Sequence, residues 1–150
     1  MILTNGSVPP TRVTGSSTRT EQRYGDAGGL TRLGFNVTTL APGEMSARRH
    51  WHEEEDEFLY VISGEATVIE EDGAHVIGPG DVCCWPAGVA NAHHVVNRSD
   101  AEVVYLVAGA GGATRDVCHY PDHGEVLHHS PPRWWMEDAE GRVLREGETG

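Results

Sequence analysis

His50-Trp51-His52-Glu53-Glu54-Glu55-Asp56-Glu57-Phe58-Leu59-Tyr60-Val61-Ile62-Ser63-Gly64 is the stretch from which the rest of the chain is read. Glu57 to Ile62 is short, β-branched and aromatic, which predicts a strand, and Ser63-Gly64-Glu65 turns it. Ser46 to His52 predicts the strand before it, with an acidic turn between. On a strand, residues i and i+2 point to the same face. His50 and His52 then converge on one ion while Trp51 faces away. Glu57 adds a carboxylate, and His93 is available as a further imidazole. Such nitrogen and oxygen donors suit zinc, iron, manganese, nickel or copper better than calcium or magnesium.

Working outward, Leu33–Leu40 alternates as a strand and Ala41-Pro42-Gly43 ends it. Downstream, Ala66–Ile69, His75–Ile77, Val82–Trp85, Ala92–Val96 and Glu102–Ala108 read as strands. Between them lie Glu71-Asp72-Gly73, a hairpin signal, and the turns Gly78-Pro79-Gly80-Asp81 and Pro86-Ala87-Gly88. Turn signals every 8–12 residues or so are what a sandwich or barrel gives. No convincing helix precedes residue 110. Residues 1–32 are polar and glycine-dotted, an extended arm with room for one edge strand. Residues 110–150 show little periodicity and read as an irregular tail with a charged end. The chain's 150 residues fit a single domain with a real core.

Acidic residues number 23 against 11 basic ones, a formal net charge of -12. That excludes nucleic acid, which needs a basic face, and docking on anionic lipid. No apolar run is long enough to span a membrane. The first residues lack the basic and apolar regions of a signal peptide. Three cysteines, two of them adjacent, speak against a disulfide framework, so a cytoplasmic setting is expected.

Gly43, His50, His52, Glu57 and Gly64, followed by Gly80, Pro86-Ala87-Gly88, His93 and Asn97, resemble the two motifs of the cupin superfamily over about residues 33–109. Two spacings depart from the pattern. Gly43 to His50 is one residue longer, and Pro86-Ala87-Gly88 to His93 is two longer. The second leaves His94 as an alternative to His93, and Asn97, four residues after His93, favours His93. The resemblance implies an all-β double-stranded β-helix, a small jelly-roll barrel. It implies one divalent transition metal per chain (zinc, manganese, iron or nickel) on His50, His52, Glu57 and His93, near the open mouth. It also implies a homodimer, with arm and tail packed across the interface. The narrower likeness is to small bacterial cupins labelled sugar-phosphate-isomerase-like.

Other residues carry plainer readings. Glu53, Glu54, Glu55 and Asp56 read as a solvated turn. His94 should face away from His93. Asn97 closes a turn by side-chain hydrogen bonds. One of Cys83 and Cys84 points inward as a small core residue, and Trp85 and Phe58 belong to core or interface. Arg48, if inward, shares a face with His50 and clamps a substrate carboxylate or phosphate; otherwise it is a surface arginine. The tail is a lid over the barrel mouth or a clasp on a partner subunit. Tyr120 and His119 are acid/base candidates only as part of a lid. The leading function is a metal-dependent enzyme on a small polar metabolite, with the ion as Lewis acid in isomerase, lyase or hydrolase chemistry. An Fe(II)-dependent dioxygenase on the same ligands and a non-catalytic small-molecule-binding or sensor cupin are the alternatives.

Overall fold

The computed structural model describes residues 1–149; Gly150, the end of the expected tail, lies outside the described residues. Its elements, in chain order, are β1 (Thr11–Val13), β2 (Arg19–Gln22), α1 (Tyr24–Ala27), β3 (Leu33–Leu40), β4 (Trp51–His52), β5 (Glu57–Ser63), β6 (Ala66–Glu70) and β7 (Gly73–Ile77). They continue with β8 (Val82–Trp85), β9 (His94–Val96), β10 (Val103–Ala110), β11 (Asp116–Tyr120), β12 (Glu125–Ser130), β13 (Arg133–Glu137) and β14 (Val143–Glu148). No helix among the described residues is long and apolar enough to cross a membrane.

One wall is the sheet β1-β2-β3-β10-β5-β8. The other is built from two sheets, β7-β6-β9 and β14-β13-β12-β11-β4. Residues 45–50 join them without forming a strand. Met45 bridges Val96 and His50 bridges His93. The His50 amide donates to the His93 carbonyl at 3.1 Å, and the His93 amide returns the bond at 2.8 Å. This departs from the strand expected over Ser46 to His52, of which only Trp51–His52 is regular. A single antiparallel bridge is enough to bring His50 beside His93.

The core lies between the walls and follows from alternation. On β5, Leu59 and Val61 are buried, while Phe58, Tyr60 and Ile62 point outward and are exposed. Leu40, Val68, Val95, Val103 and Tyr105 close around them, with Trp85 at one end. Each such apolar side chain contributes about 1.5–3 kcal/mol by leaving water. Gly64 turns β5 into β6 at φ +80, and a Cβ there would collide with the Glu102 carbonyl. A larger residue would be strained twice over. Asn97, fully buried, donates to the carbonyls of Leu40 (2.8 Å) and Ala101 (2.7 Å) and accepts from the Ser99 amide (3.0 Å).

Two expectations are corrected. The arm carries two strands and a one-turn helix. The tail is not irregular: β11 to β14 form an antiparallel meander whose first strand pairs with β4, Cys118 opposite His52 and His119 opposite Trp51. Most residues of β12 and β13 are half-buried on both faces. Neither face demands uniform polarity, so the period-2 signal that marks a strand is absent.

Candidate metal centre

Glu57 opens β5, His52 lies in β4, His50 precedes it, and His93 leads into β9. The Nε2 atoms of His50, His52 and His93 stand 3.9, 3.4 and 3.5 Å from Glu57 Oε2. Each ring is tied down at its other nitrogen. His50 Nδ1 lies 2.7 Å from the Arg48 carbonyl, His52 Nδ1 2.6 Å from Asp116 Oδ2, and His93 Nδ1 3.0 Å from the Asn91 carbonyl. With Nδ1–H donating to these oxygens, the Nε2 atoms of His50 and His93 are left as lone-pair donors, and all three Nε2 atoms face the Glu57 carboxylate. Trp85 stacks on the His93 ring at 3.8 Å.

His93 Nε2 is buried and makes no hydrogen bond. Leaving such a group unsatisfied costs about 1–3 kcal/mol, and a cation at the point of convergence would satisfy it. His50, Glu57 and His93 offer donor atoms mutually within 4.8 Å. The donor set, three imidazoles and a carboxylate, fits a divalent transition ion.

The electrostatics show what happens without one. Burial pushes His50 down to about 4. For Glu57, burial works to raise the pKa, but the His52 and His93 rings outweigh it and hold the carboxyl below the usual range. For His52, burial works against the charge, but Asp116 and Glu57 outweigh it and raise the ring above its ordinary value. His52 therefore keeps a proton that an ion at Nε2 would have to displace.

Two cavities flank the cluster. One of about 230 Å³ lies between the walls, with Arg19, Asn36, Thr38, Glu57, His93 and Tyr105 in its lining. Another of about 270 Å³ lies under the tail sheet, with His52, Asp116, Cys118, Tyr120, Leu127 and His129. His50 and Glu55 border both.

The cupin domain family matches residues 36–109. The sugar phosphate isomerase from a cupin superfamily of Silicibacter pomeroyi is 31% identical, covering 100% of both chains at a TM-score of 0.85. The chain belongs to the cupin superfamily. A provisionally named sugar phosphate isomerase of Acidithiobacillus ferrooxidans is also 31% identical, over 96% of each chain, at a TM-score of 0.86. A predicted oxalate decarboxylase of Thermotoga maritima shares the fold at 22% identity and a TM-score of 0.61, covering 74% of this chain and 99% of its own. No curated protein matches the chain significantly.

In this cupin the four expected ligands come together. His94 does not join them: its Nδ1 lies 3.0 Å from the Ala47 carbonyl. Arg48 is a correction to the inward clamp. Its guanidinium sits over the Tyr120 ring at 4.2 Å, pairs with Glu125 at 2.6 Å and lines neither cavity. Alternation along β11 puts Asp116, Cys118 and Tyr120 toward the site, with Tyr120 5.8 Å from His50 between ring centroids. The same alternation turns His119 away, stacked on Trp51 at 4.2 Å and bonded to Glu53 at 2.6 Å. His119 is thus removed from the acid/base candidates. The tail itself forms part of the wall of the second cavity.

Two residues escaped the sequence reading. Glu55 is not part of a solvated turn. It lies 3.8 Å from His52 Nδ1, and burial pushes its carboxyl up to about 7. A Cβ at Gly109 would collide with its carboxylate. Its signal was the i, i+2 relation to Glu57, hidden within an acidic run. Asp116, which orients His52, had no local signal at all.

Proposed function

We propose that this cupin is a metal-dependent enzyme acting on a small polar metabolite, with one divalent transition ion held by His50, His52, Glu57 and His93. The observation that carries this reading is the buried, unpartnered His93 Nε2 facing Glu57 beside two further imidazoles whose Nε2 atoms face the same carboxylate. When bound, such an ion supplies Lewis acidity toward substrate oxygens. The chain's own residues do the rest. Asp116 fixes the His52 ring, as carboxylates behind metal-binding histidines do. Glu55, bordering both cavities, can hold or move a proton at its carboxylate oxygens. The barrel-side cavity encloses about 230 Å³, below the roughly 300–1,000 Å³ of pockets for drug-sized ligands. A small metabolite is the occupant it suits. The names of the two 31%-identical relatives favour isomerase chemistry among the Lewis-acid reactions.

The test is elemental analysis of untagged protein purified without chelator, beside His50→Ala. Near-stoichiometric metal in the unsubstituted protein alone is the expected result. No metal in either protein, even after reloading, overturns the reading.

A further inference from the structure

The barrel-side cavity has a second polar pole that the metal ligands do not account for. Arg19, on β2, lines it and is fixed by three hydrogen bonds: Nε to Glu21 Oε2 at 3.0 Å, and Nη1 to Ser17 Oγ at 2.9 Å and to the Ser46 carbonyl at 2.8 Å. Its Nη2 makes no hydrogen bond among the described residues. Glu21, 4% exposed, does not neutralise it alone, because its other oxygen accepts from Arg23 Nε at 2.7 Å. Two guanidinium groups share one carboxylate, so this pole is net positive in a chain of net charge -12. Asn36, on β3, lines the same cavity, and its side-chain amide likewise has no protein partner among the described residues. Tyr105, Ser46 and Thr38 line the same cavity.

A guanidinium held at Nε and Nη1 has its plane set before any ligand arrives, and Nη2 is then a pre-oriented donor. Charge-assisted bonds from such a group to planar or tetrahedral oxyanions are strong and directional. A network built only to brace β2 would not need unpaired donors on the cavity side from two different strands.

We propose that Arg19 is a specificity-determining residue that pairs with an anionic oxygen group, carboxylate or phosphate, on the substrate, with Asn36 taking a neighbouring hydroxyl or carbonyl oxygen. The substrate class is then a small hydroxylated anion. The inference rests on the reading above, that this cavity holds the substrate of the metal centre.

The experiment is calorimetric binding to the metal-loaded full chain with three probes of similar size: erythronate, erythrose 4-phosphate and neutral erythritol. The unsubstituted protein binds at least one anionic probe about ten- to a hundredfold more tightly than erythritol, and the preferred anion tells carboxylate from phosphate. Arg19→Gln removes that preference with metal content unchanged. Arg19→Lys, which keeps the charge and loses the fork, retains part of it and serves if the glutamine variant does not fold. Asn36→Ala leaves the Arg19 bonds intact, keeps the anion preference and weakens all three probes. Metal-loaded protein with no preference for either anion, or a preference that survives Arg19→Gln, overturns the proposal. A chain that takes up no metal fails the earlier reading instead. The Arg19-dependent preference is then read in the metal-free protein, where its presence upholds the anchor and its absence sinks it.

Discussion

His52 is gripped at both nitrogens, by Asp116 at 2.6 Å and by Glu57 at 3.4 Å. Burial alone would strip its charge, but the two carboxylates prevail and raise its pKa. Metal uptake at Nε2 must then release that proton. The sign follows. While the ring stays charged in the ion-free protein, apparent affinity rises about tenfold per pH unit, whereas an imidazole at its usual ~6.5 would give a plateau above pH ~7.5. Chelator competition between pH 7.5 and 8.5 measures this, and a flat affinity would refute the raised ring. Asp116→Asn weakens the orienting bond and is expected to lower metal affinity about 10–100-fold with the fold intact. Unchanged affinity in the same competition removes Asp116 from that role. The thiols offer an independent check on burial. Burial pushes Cys118 up to about 12 and Cys83 up to about 11, whereas Cys84 is exposed. A thiol reagent at pH 8 should modify Cys84 first and Cys118 only on unfolding. Rapid modification of Cys118 in folded protein would contradict its burial.

The junctions between strands, more than the strands themselves, place the centre. Asn97 ties the end of β3 to the approach to β10 through the carbonyls of Leu40 and Ala101. Asn97→Ala should cost about 3 kcal/mol and lower Tm by about 10 °C. A melting temperature within a degree or two of the unsubstituted protein would show that the turn holds without it. The turn was legible in the sequence, as were β3 and β5 to β10, because one-sided burial writes alternation into the chain. Leu59 and Val61 against Phe58, Tyr60 and Ile62 is the clearest case. The convergence of His50, His52, Glu57 and His93 was legible because motif spacing carries it. The 45–50 link misled because it meets its neighbours through isolated bridges rather than a continuous ladder. The tail strands were hidden by adjacent like residues, His128-His129 and Trp134-Trp135, that occupy opposite faces. Asp116 stands 64 residues from the histidine it orients, and nothing local encodes a contact across that separation.

Assembly follows from which surfaces remain unfinished. The outer face of the six-stranded sheet exposes Phe58 (41%), Tyr60 (44%), Ile62 (47%) and Val82 (54%), with Leu106 paired opposite Tyr60. Single exposed apolar residues are ordinary, but neighbouring ones on adjacent strands form the kind of patch that marks an interface. The free edge at β14 is a poorer contact, because Arg145, Glu146 and Glu148 place charges along it. A homodimer through the sheet face is therefore the expected assembly. Two chains of net charge -12 repel, so added salt should tighten the dimer by screening while leaving the apolar contact in place. Ile62 points away from the cluster of His50, His52, Glu57 and His93. Ile62→Glu should yield a monomer by light scattering that still takes up metal, since a buried carboxylate opposite an apolar face is not tolerated. An unsubstituted protein that is monomeric at high concentration and moderate salt would leave that patch without a self-partner, and with it the expectation that arm and tail pack across a subunit interface.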